Sequence, residues 1–345
     1  MSKDVILLAH GSGGKLSHDL VATLFLRYFG NPTLLQLDDS AVVTFPALES
    51  ESQGSRLAFT TDSYVVSPLF FPGGDIGKLA VCGTVNDLSM SGARPLWLSA
   101  GFIVEEGLPL ADLERIVASM AATAKRAGVQ IVTGDTKVVG RGSADKLFIN
   151  TAGVGLVPPG VTIAGDRAQP GDLILLSGSI GDHGMTIMTQ REGLQFDSPL
   201  ESDCAPLNGL VSSLMAALPP GTLHCLRDPT RGGLATALNE LAARSGVGIE
   251  IDESDLPVRE AVRGACELLG LDPLYVANEG KLVAIVAPEA TEAALAALRA
   301  HEYGRDAVPI GRVTEVHPGR VVLHTSLGAR RVVDMLMGEQ LPRIC

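Results

Sequence analysis

The sequence predicts an α/β fold in two domains, on two observations. Runs rich in Val, Ile and Thr alternate with Ala- and Leu-rich stretches whose apolar residues recur at helical spacing. The alternation breaks once, at VPPGVTIAGDRAQPGD (157–172), where Pro, Gly and polar residues are dense, and then resumes. The expected units are 1–160, 161–334 and a tail at 335–345. At 345 residues and 46% apolar, the chain is long enough for two cores.

The elements follow in order. DLVATLFLRYF (19–29), IGKLAVCGTVNDLSM (76–90) and LADLERIVASMAATAKRAG (110–128) have helical spacing. RLAFTTDS, PLWLSAGFIV, VQIVTGDTKVV and KLFINTAGVGLV read as strands. The second unit offers LILLSG, a helix near 184–192, GLATALNELAARSG (233–246), KLVAIVA and ATEAALAALRA (290–300). After RRVVDML the periodicity stops, and Gly338 and Pro342 both disfavour a helix. MGEQLPRIC is expected to be an extended, flexible tail that reaches roughly 30 Å from Leu336 if fully stretched.

Composition narrows the function. A formal net charge of −12 argues against nucleic-acid binding, which needs basic patches to neutralise phosphates. No apolar run is long enough to span a bilayer, and the N-terminal VILLA is too short for a signal-peptide core. The five cysteines include no CxxC pair, and an odd count without a secretion signal suggests a reducing cytoplasm. Cys82 and Cys266 lie in apolar helical patterns and read as small core residues. Cys345 is the last residue, where chains are usually least ordered.

HGSGGK (10–15) lies between the first strand and the first helix. It is not a P-loop, because Ala9 stands where the first glycine would be and Leu16 where the Ser or Thr would follow the lysine. Its glycines still let backbone N–H groups approach an anion at a helix N-terminus, and a plain strand-to-helix turn fits as well. Asp recurs at element ends: Asp38 and Asp39 before AVVTF, Asp62 in FTTDS, Asn86 and Asp87 in TVNDLS, Asp135 and Lys137 in TGDTK. Singly these suit caps and turns. Brought together they would repel unless a cation joined them, and Mg²⁺ takes carboxylate and phosphate oxygens. RDPTRGGL (227–234) opens a helix, with Arg231, Gly232 and Gly233 suited to a phosphate. SGSIGDHG (177–184) is another strand–glycine–helix junction, carrying His183. Glu279, in NEGK, stands at a strand entrance as a candidate base.

Taken in order, HGSGGK, FTTDSYVVSPLFFPGGDIGKLA, VNDLSMSGA, IVTGDTKVV, DKLFINTAG, GDHGMTI, RDPTRGGL, ANEGKL and terminal PRIC closely resemble one family across the whole chain. It is the HypE family of hydrogenase maturation factors, the carbamoyl dehydratases. The resemblance implies a two-domain PurM-like fold. Its N-terminal domain would dimerise through its β-sheet, and its C-terminal domain would be an α/β sandwich. ATP would bind between the domains and across the homodimer.

By the same resemblance, the carbamoyltransferase HypF loads a carbamoyl group onto Cys345. ATP then activates the carboxamide oxygen, loss of phosphate leaves a thiocyanate, and the cyano group passes to iron on a HypC–HypD complex. The metal would be Mg²⁺, on Asp62, Asp87 and Asp135, with Asp39 less secure. Gly11, Ser12, Gly13, Gly14 and Lys15 would cover the phosphates, with Asn86, Thr136, Arg231, Gly232 and Gly233 as further nucleotide contacts. His10 and Glu279 would be bases, and Lys137 would orient the reacting group. Two rivals stand. Selenophosphate synthetases of the same superfamily typically carry a reactive Cys or selenocysteine in an N-terminal glycine-rich loop, and here no cysteine precedes Cys82. A non-catalytic scaffold presenting its tail as a peptide ligand would need no ATP turnover. Whether the tail rests inside or outside the free protein is open at this point.

Overall fold

The alternation in the sequence becomes two sheets with helices packed against them. The structure, a computed structural model, describes residues 14–29, 31–44, 56–194, 200–336, 341 and 343–345. The first helical stretch is α1 (Lys15–Leu20), a π-helical turn at Val21–Phe25, and α2 (Leu26–Phe29). Then come β1 (Ala41–Thr44), β2 (Arg56–Tyr64), the small ribbon β3 (Phe70–Phe71) and β4 (Gly74–Asp75), α3 (Ile76–Met90), β5 (Arg94–Glu105), α4 (Leu110–Ala127), β6 (Gln130–Val139) and β7 (Leu147–Val157). The first sheet runs β1-β2-β7-β5-β6. β5 and β6 are parallel, since α4 crosses over between them, and the other neighbours are antiparallel.

α3 is buried on nearly every side, as its near-continuous apolar sequence requires. It lies between the first sheet, α4 and the second unit, touching α6 and β9 there. Asp75 caps it, accepting from the N–H groups of Gly77 (2.7 Å) and Lys78 (3.1 Å). On β2 the alternation is plain: Ala58, Thr60 and Tyr64 are buried, while Phe59, Thr61 and Ser63 are exposed. The outer face of this sheet leaves Phe59, Trp97 and Ile103 exposed. β6 is exposed nearly throughout, because it is the sheet's edge.

The second unit contains β8 (Leu173–Leu176), α5 (Asp182–Glu192), α6 (Asn208–Ala217), β9 (Leu223–Arg227), α7 (Gly233–Ser245), β10 (Gly248–Asp252), α8 (Glu260–Leu269), β11 (Val283–Val286), α9 (Thr291–Ala300), β12 (Val308–Thr314), β13 (Val321–His324) and β14 (Arg330–Val333). Its sheet runs β14-β13-β10-β12-β8-β11-β9. LILL and VAIV are unbroken apolar runs because both faces are covered. Ile174, Leu176 and Ile285 pack with Leu234, Leu238 and Leu241 of α7. Leu175, Ala284 and Val286 pack with Leu210 and Leu214 of α6 and Leu298 of α9.

The tail does not hang free at its described positions. Leu336 is buried, and its carbonyl accepts from the N–H of Lys15 at 2.9 Å. A Cβ on Gly14 would come within 2.2 Å of that carbonyl oxygen, so the loop end needs glycine there. Leu341 and Ile344 pack into the core beneath the first sheet.

Candidate active site

Three carboxylates from distant stretches converge between the units. Asp39 precedes β1, Asp87 sits near the end of α3, and Asp228 follows β9. One ligand oxygen from each lies within 4.8 Å of the others. Thr60 of β2 ties the group together, donating to Asp87 Oδ2 at 2.8 Å and lying 3.0 Å from the Asp39 carbonyl oxygen. Asp62, on the same face of β2, adds to the negative field at Asp87 and accepts from the Tyr64 hydroxyl at 3.2 Å. Arg227 flanks the group, 3.1 Å from Asp39, and is itself paired with Glu240, which meets His18 at 2.7 Å.

This group suits a cation. Burial pushes the Asp87 carboxyl well above the ordinary range, and Asp62, Asp228 and Asp39 push it further. Burial likewise raises Asp228, to about 6, against the pull of Arg227. Burial raises Asp39 well above its ordinary value too, again against Arg227. Asp228 Oδ2 is buried without a hydrogen-bond partner. An orphaned carboxylate oxygen facing two further carboxylates is a donor set that a hard divalent ion such as Mg²⁺ would satisfy.

The C-terminus docks beside this group. The N–H of Val65 donates to a carboxylate oxygen of Cys345 at 3.1 Å, and that of Ser67 donates to the Arg343 carbonyl at 3.2 Å. The tail thus lies antiparallel along the segment leaving β2. Arg343 also pairs with Asp145. Ile344 is 3% exposed and anchors the end, while Cys345 is half-buried. The thiol lies in the fields of Arg231, Glu279, Asp62 and Asp228. Burial pushes it up to about 12, with Arg231 opposing.

Glu279 is held by its backbone and left open at its side chain. Its N–H donates to Asp203 Oδ1 at 3.0 Å, and its carbonyl accepts from Asn86 Nδ2 at 3.3 Å. Asp203 is fixed in turn by Lys281 at 3.2 Å. The next residue must be glycine, since a Cβ on Gly280 would stand 1.8 Å from the Asp203 carbonyl oxygen. Glu279 is 3% exposed and its Oε1 has no hydrogen-bond partner. Burial pushes its carboxyl well above the usual range, and Cys204, Asp228 and Asp203 push the same way. A carboxylate whose basicity is raised in this way is suited to accepting a proton.

Of the residues expected from sequence, Asp39, Asp62, Asp87, Arg231, Glu279 and Cys345 share one neighbourhood. Gly232 and Gly233 begin α7 at φ +78° and +63°, and a Cβ on Gly233 would meet the Leu274 carbonyl oxygen at 2.5 Å. Asn86 is buried. It donates to the carbonyls of Ala205 and Glu279 and accepts from the N–H of Leu207. Its side chain stitches α3 to the second unit. Asp135, Thr136 and Lys137 stand apart, on the exposed edge strand β6. Lys137 donates to Asp135 at 2.7 Å. Both line a hollow of about 340 Å³ with Ser63, Ile103 and Asn150, on the opposite sheet face from Asp87. Lys15 is exposed and Gly14 is buried against Leu336. His10, Gly11, Ser12 and Gly13 lie outside the described residues.

Sequence reasoning passed over Asp228 and Asp203. Asp228 sits in RDPTRGGL directly after a strand, the same position that drew attention to Asp135. Asp203 follows a stretch without periodicity, and no local signal marks it.

The family described as AIR synthase related protein matches the chain twice, its N-terminal domain over residues 37–157 and its C-terminal domain over 169–324. These two matches and the buried carboxylate group place the chain among the AIR synthase related proteins. A carbamoyl dehydratase HypE from Azotobacter vinelandii is 57% identical over 338 residues, 98% of this chain and 96% of its own. A crystal structure of the hydrogenase maturation protein HypE in complex with ATP superimposes with a TM-score of 0.81 at 55% identity, covering 99% of this chain and 100% of the other. A HypE–HypF complex does so with a TM-score of 0.85 at 51% identity, covering 92% and 99%. The chain belongs to the HypE carbamoyl dehydratases. Among the described residues, no helix is long and apolar enough to cross a membrane.

Proposed function

We propose that this enzyme uses ATP to dehydrate an S-carbamoyl group on Cys345 to a thiocyanate, supplying cyanide for the iron of a [NiFe]-hydrogenase. The observation that carries this is the docked C-terminus: the terminal thiol sits beside Arg231, Glu279 and the carboxylate group. The carboxamide oxygen attacks the γ-phosphorus of ATP as the bond to ADP breaks. One N–H proton leaves as the C=N bond forms. The second leaves as the C–O bond breaks, expelling phosphate and forming C≡N. The products are thiocyanate, ADP and phosphate. A phosphoryl transfer of this kind needs positioning and charge neutralisation above all.

Glu279 takes a proton from the carboxamide nitrogen. Its backbone is fixed at both ends, and its Oε1 has no hydrogen-bond partner. His10 is the other candidate base. Arg231 faces the thiol and offers a positive charge to the reacting group. Asp39, Asp87 and Asp228 would hold Mg²⁺, with Asp62 beside them; when bound, the ion would neutralise phosphate charge. Gly232 and Gly233, with Lys15 and the HGSGGK loop, serve the phosphates. Asp135, Thr136 and Lys137 serve a site completed across a homodimer, formed on the outer sheet face where Phe59, Trp97 and Ile103 are exposed.

Docking also separates loading from dehydration. With its thiol raised to about 12, docked Cys345 carries almost no thiolate at neutral pH, so it is a poor nucleophile there. Carbamoylation by HypF therefore takes place with the tail undocked, and the cyanated tail then passes to HypC–HypD, in the cytoplasm. Mass spectrometry tests the proposal. Carbamoylated protein given Mg-ATP should lose one water's mass at Cys345, and Cys345→Ser should never acquire the group while still binding ATP. Unchanged mass in a transferase-competent mixture would overturn it.

A further inference from the structure

The tail is held by side chains from one helix, and neither belongs to the machinery described above. His183 and Arg191 lie two turns apart on α5 and face the same way. His183 Nε2 is 2.9 Å from the Ile344 carbonyl oxygen, and its Nδ1 is 2.7 Å from Ser202 Oγ. A carbonyl only accepts, so Nε2 carries the proton. Nδ1 then accepts from the Ser202 hydroxyl, whose oxygen accepts from the N–H of Cys204 at 3.1 Å. The chain of donors is complete, and it ends on the tail. Both ring nitrogens are used, the ring is fully buried, and Phe71 meets it edge-on at 5.6 Å.

Arg191 grips the same segment. Its Nε donates to the Ser67 carbonyl at 2.5 Å, and its guanidinium also donates to the Arg343 carbonyl. Arg191 thus bridges the tail to the segment leaving β2, on which it lies. Between these two residues the helix makes room. A Cβ on Gly184 would come within 2.6 Å of Val276, so the close packing of α5 on Val276 needs glycine there, and the tail's Leu341 lies against the same spot, 3.3 Å from where that Cβ would be.

We propose that His183, assisted by Arg191, is a positioning residue: a latch that seats the backbone of Arg343 and Ile344 so that Cys345 is placed in the site. It rests on Cys345 as the carrier of the reacting group. The latch recognises tail backbone, so it acts alike on a free, carbamoylated or cyanated thiol. Burial lowers the basicity of His183, which keeps the neutral tautomer that the network requires. Asp203, facing the ring, works against this, and Arg191 works with it.

Cys345 alkylation by iodoacetamide, read by peptide mass, tests the latch without any chemistry on the tail. The other four cysteines are buried and serve as an internal control for the fold. In the wild type, Cys345 should label more slowly than a free peptide ending in PRIC. His183→Leu leaves a buried carbonyl without its donor, so labelling of Cys345 should rise about tenfold while Cys204 stays protected. His183→Gln places an amide N–H near the lost Nε2–H and should restore most of the protection. The latch is overturned if wild-type Cys345 labels as fast as the peptide, or if His183→Leu leaves its rate unchanged. It is also overturned if Cys204 becomes reactive in step, or if Gln behaves like Leu. A wild type that is protected yet never loses water's mass would sink the dehydration reading and leave the latch standing.

Discussion

Glu279→Gln should separate stability from chemistry. Glu279 is 3% exposed, with one oxygen that has no partner. Burial raises its carboxyl well above the ordinary range, so the folded pKa exceeds the unfolded one. Such a group contributes stability that is full below the unfolded value, about 4.3, and is lost as pH rises through the folded value. Leaving a buried charged group unsatisfied costs about 1–3 kcal/mol or more. Gln has nearly the same shape and no charge to desolvate. The variant should therefore match the wild type below about pH 4.3 and become more stable by about 1–3 kcal/mol as the pH rises through the folded value.

Its rate of water loss, by contrast, should fall about 10²–10⁴-fold, the usual contribution of a positioned base. Thermal melts across the pH range and single-turnover mass spectrometry of carbamoylated protein check both arms. A variant that keeps its rate within about threefold refutes the base assignment, since that lies far below the usual contribution. A stability difference that does not grow with pH refutes the reasoning about its proton.

The other predictions concern the carboxylate group and the sheet face. Asp228→Asn or Asp87→Asn removes one of several mutually repelling buried carboxylates, so each should melt higher than wild type without divalent cation. With Mg²⁺ the order should reverse: the wild type should gain about 2.7 kcal/mol at a hundredfold excess over Kd, and the variants much less, by thermal shift titration. Ile103→Asp puts a charge on the exposed apolar sheet face beside Lys137 and Asp135. It should convert a two-chain species to a single chain in sedimentation and lower ATP turnover together with it.

Much of the fold was legible because it is local. The helix expected at 76–90 is α3 itself, because its apolar run and the Asp75 cap lie within a few residues of each other. LILL and VAIV announced buried strands by being unbroken. Asn86 shows where local reading stops. A polar residue beside Asp87 looked like a ligand contact, yet its amide spends its bonds on the backbone of 205–207 and 279. That partner loop is over a hundred residues away in the chain, and nothing near Asn86 points to it.

By itself the sequence determined the residue types, the order of elements, the break between units and the terminal position of the thiol. These depend on periodicity, turn chemistry and chain order, which neighbouring residues specify. Only the tertiary structure decided that Asp39, Asp87 and Asp228 form one group, while Asp135 stands on the other face of an edge strand. It alone turned an unpatterned tail into a docked one, with Ile344 in the core and its carbonyl on His183. The physical reason is common to both. Desolvation, like-charge repulsion and hydrogen-bond completion depend on distances between residues far apart in the chain, and packing sets those distances.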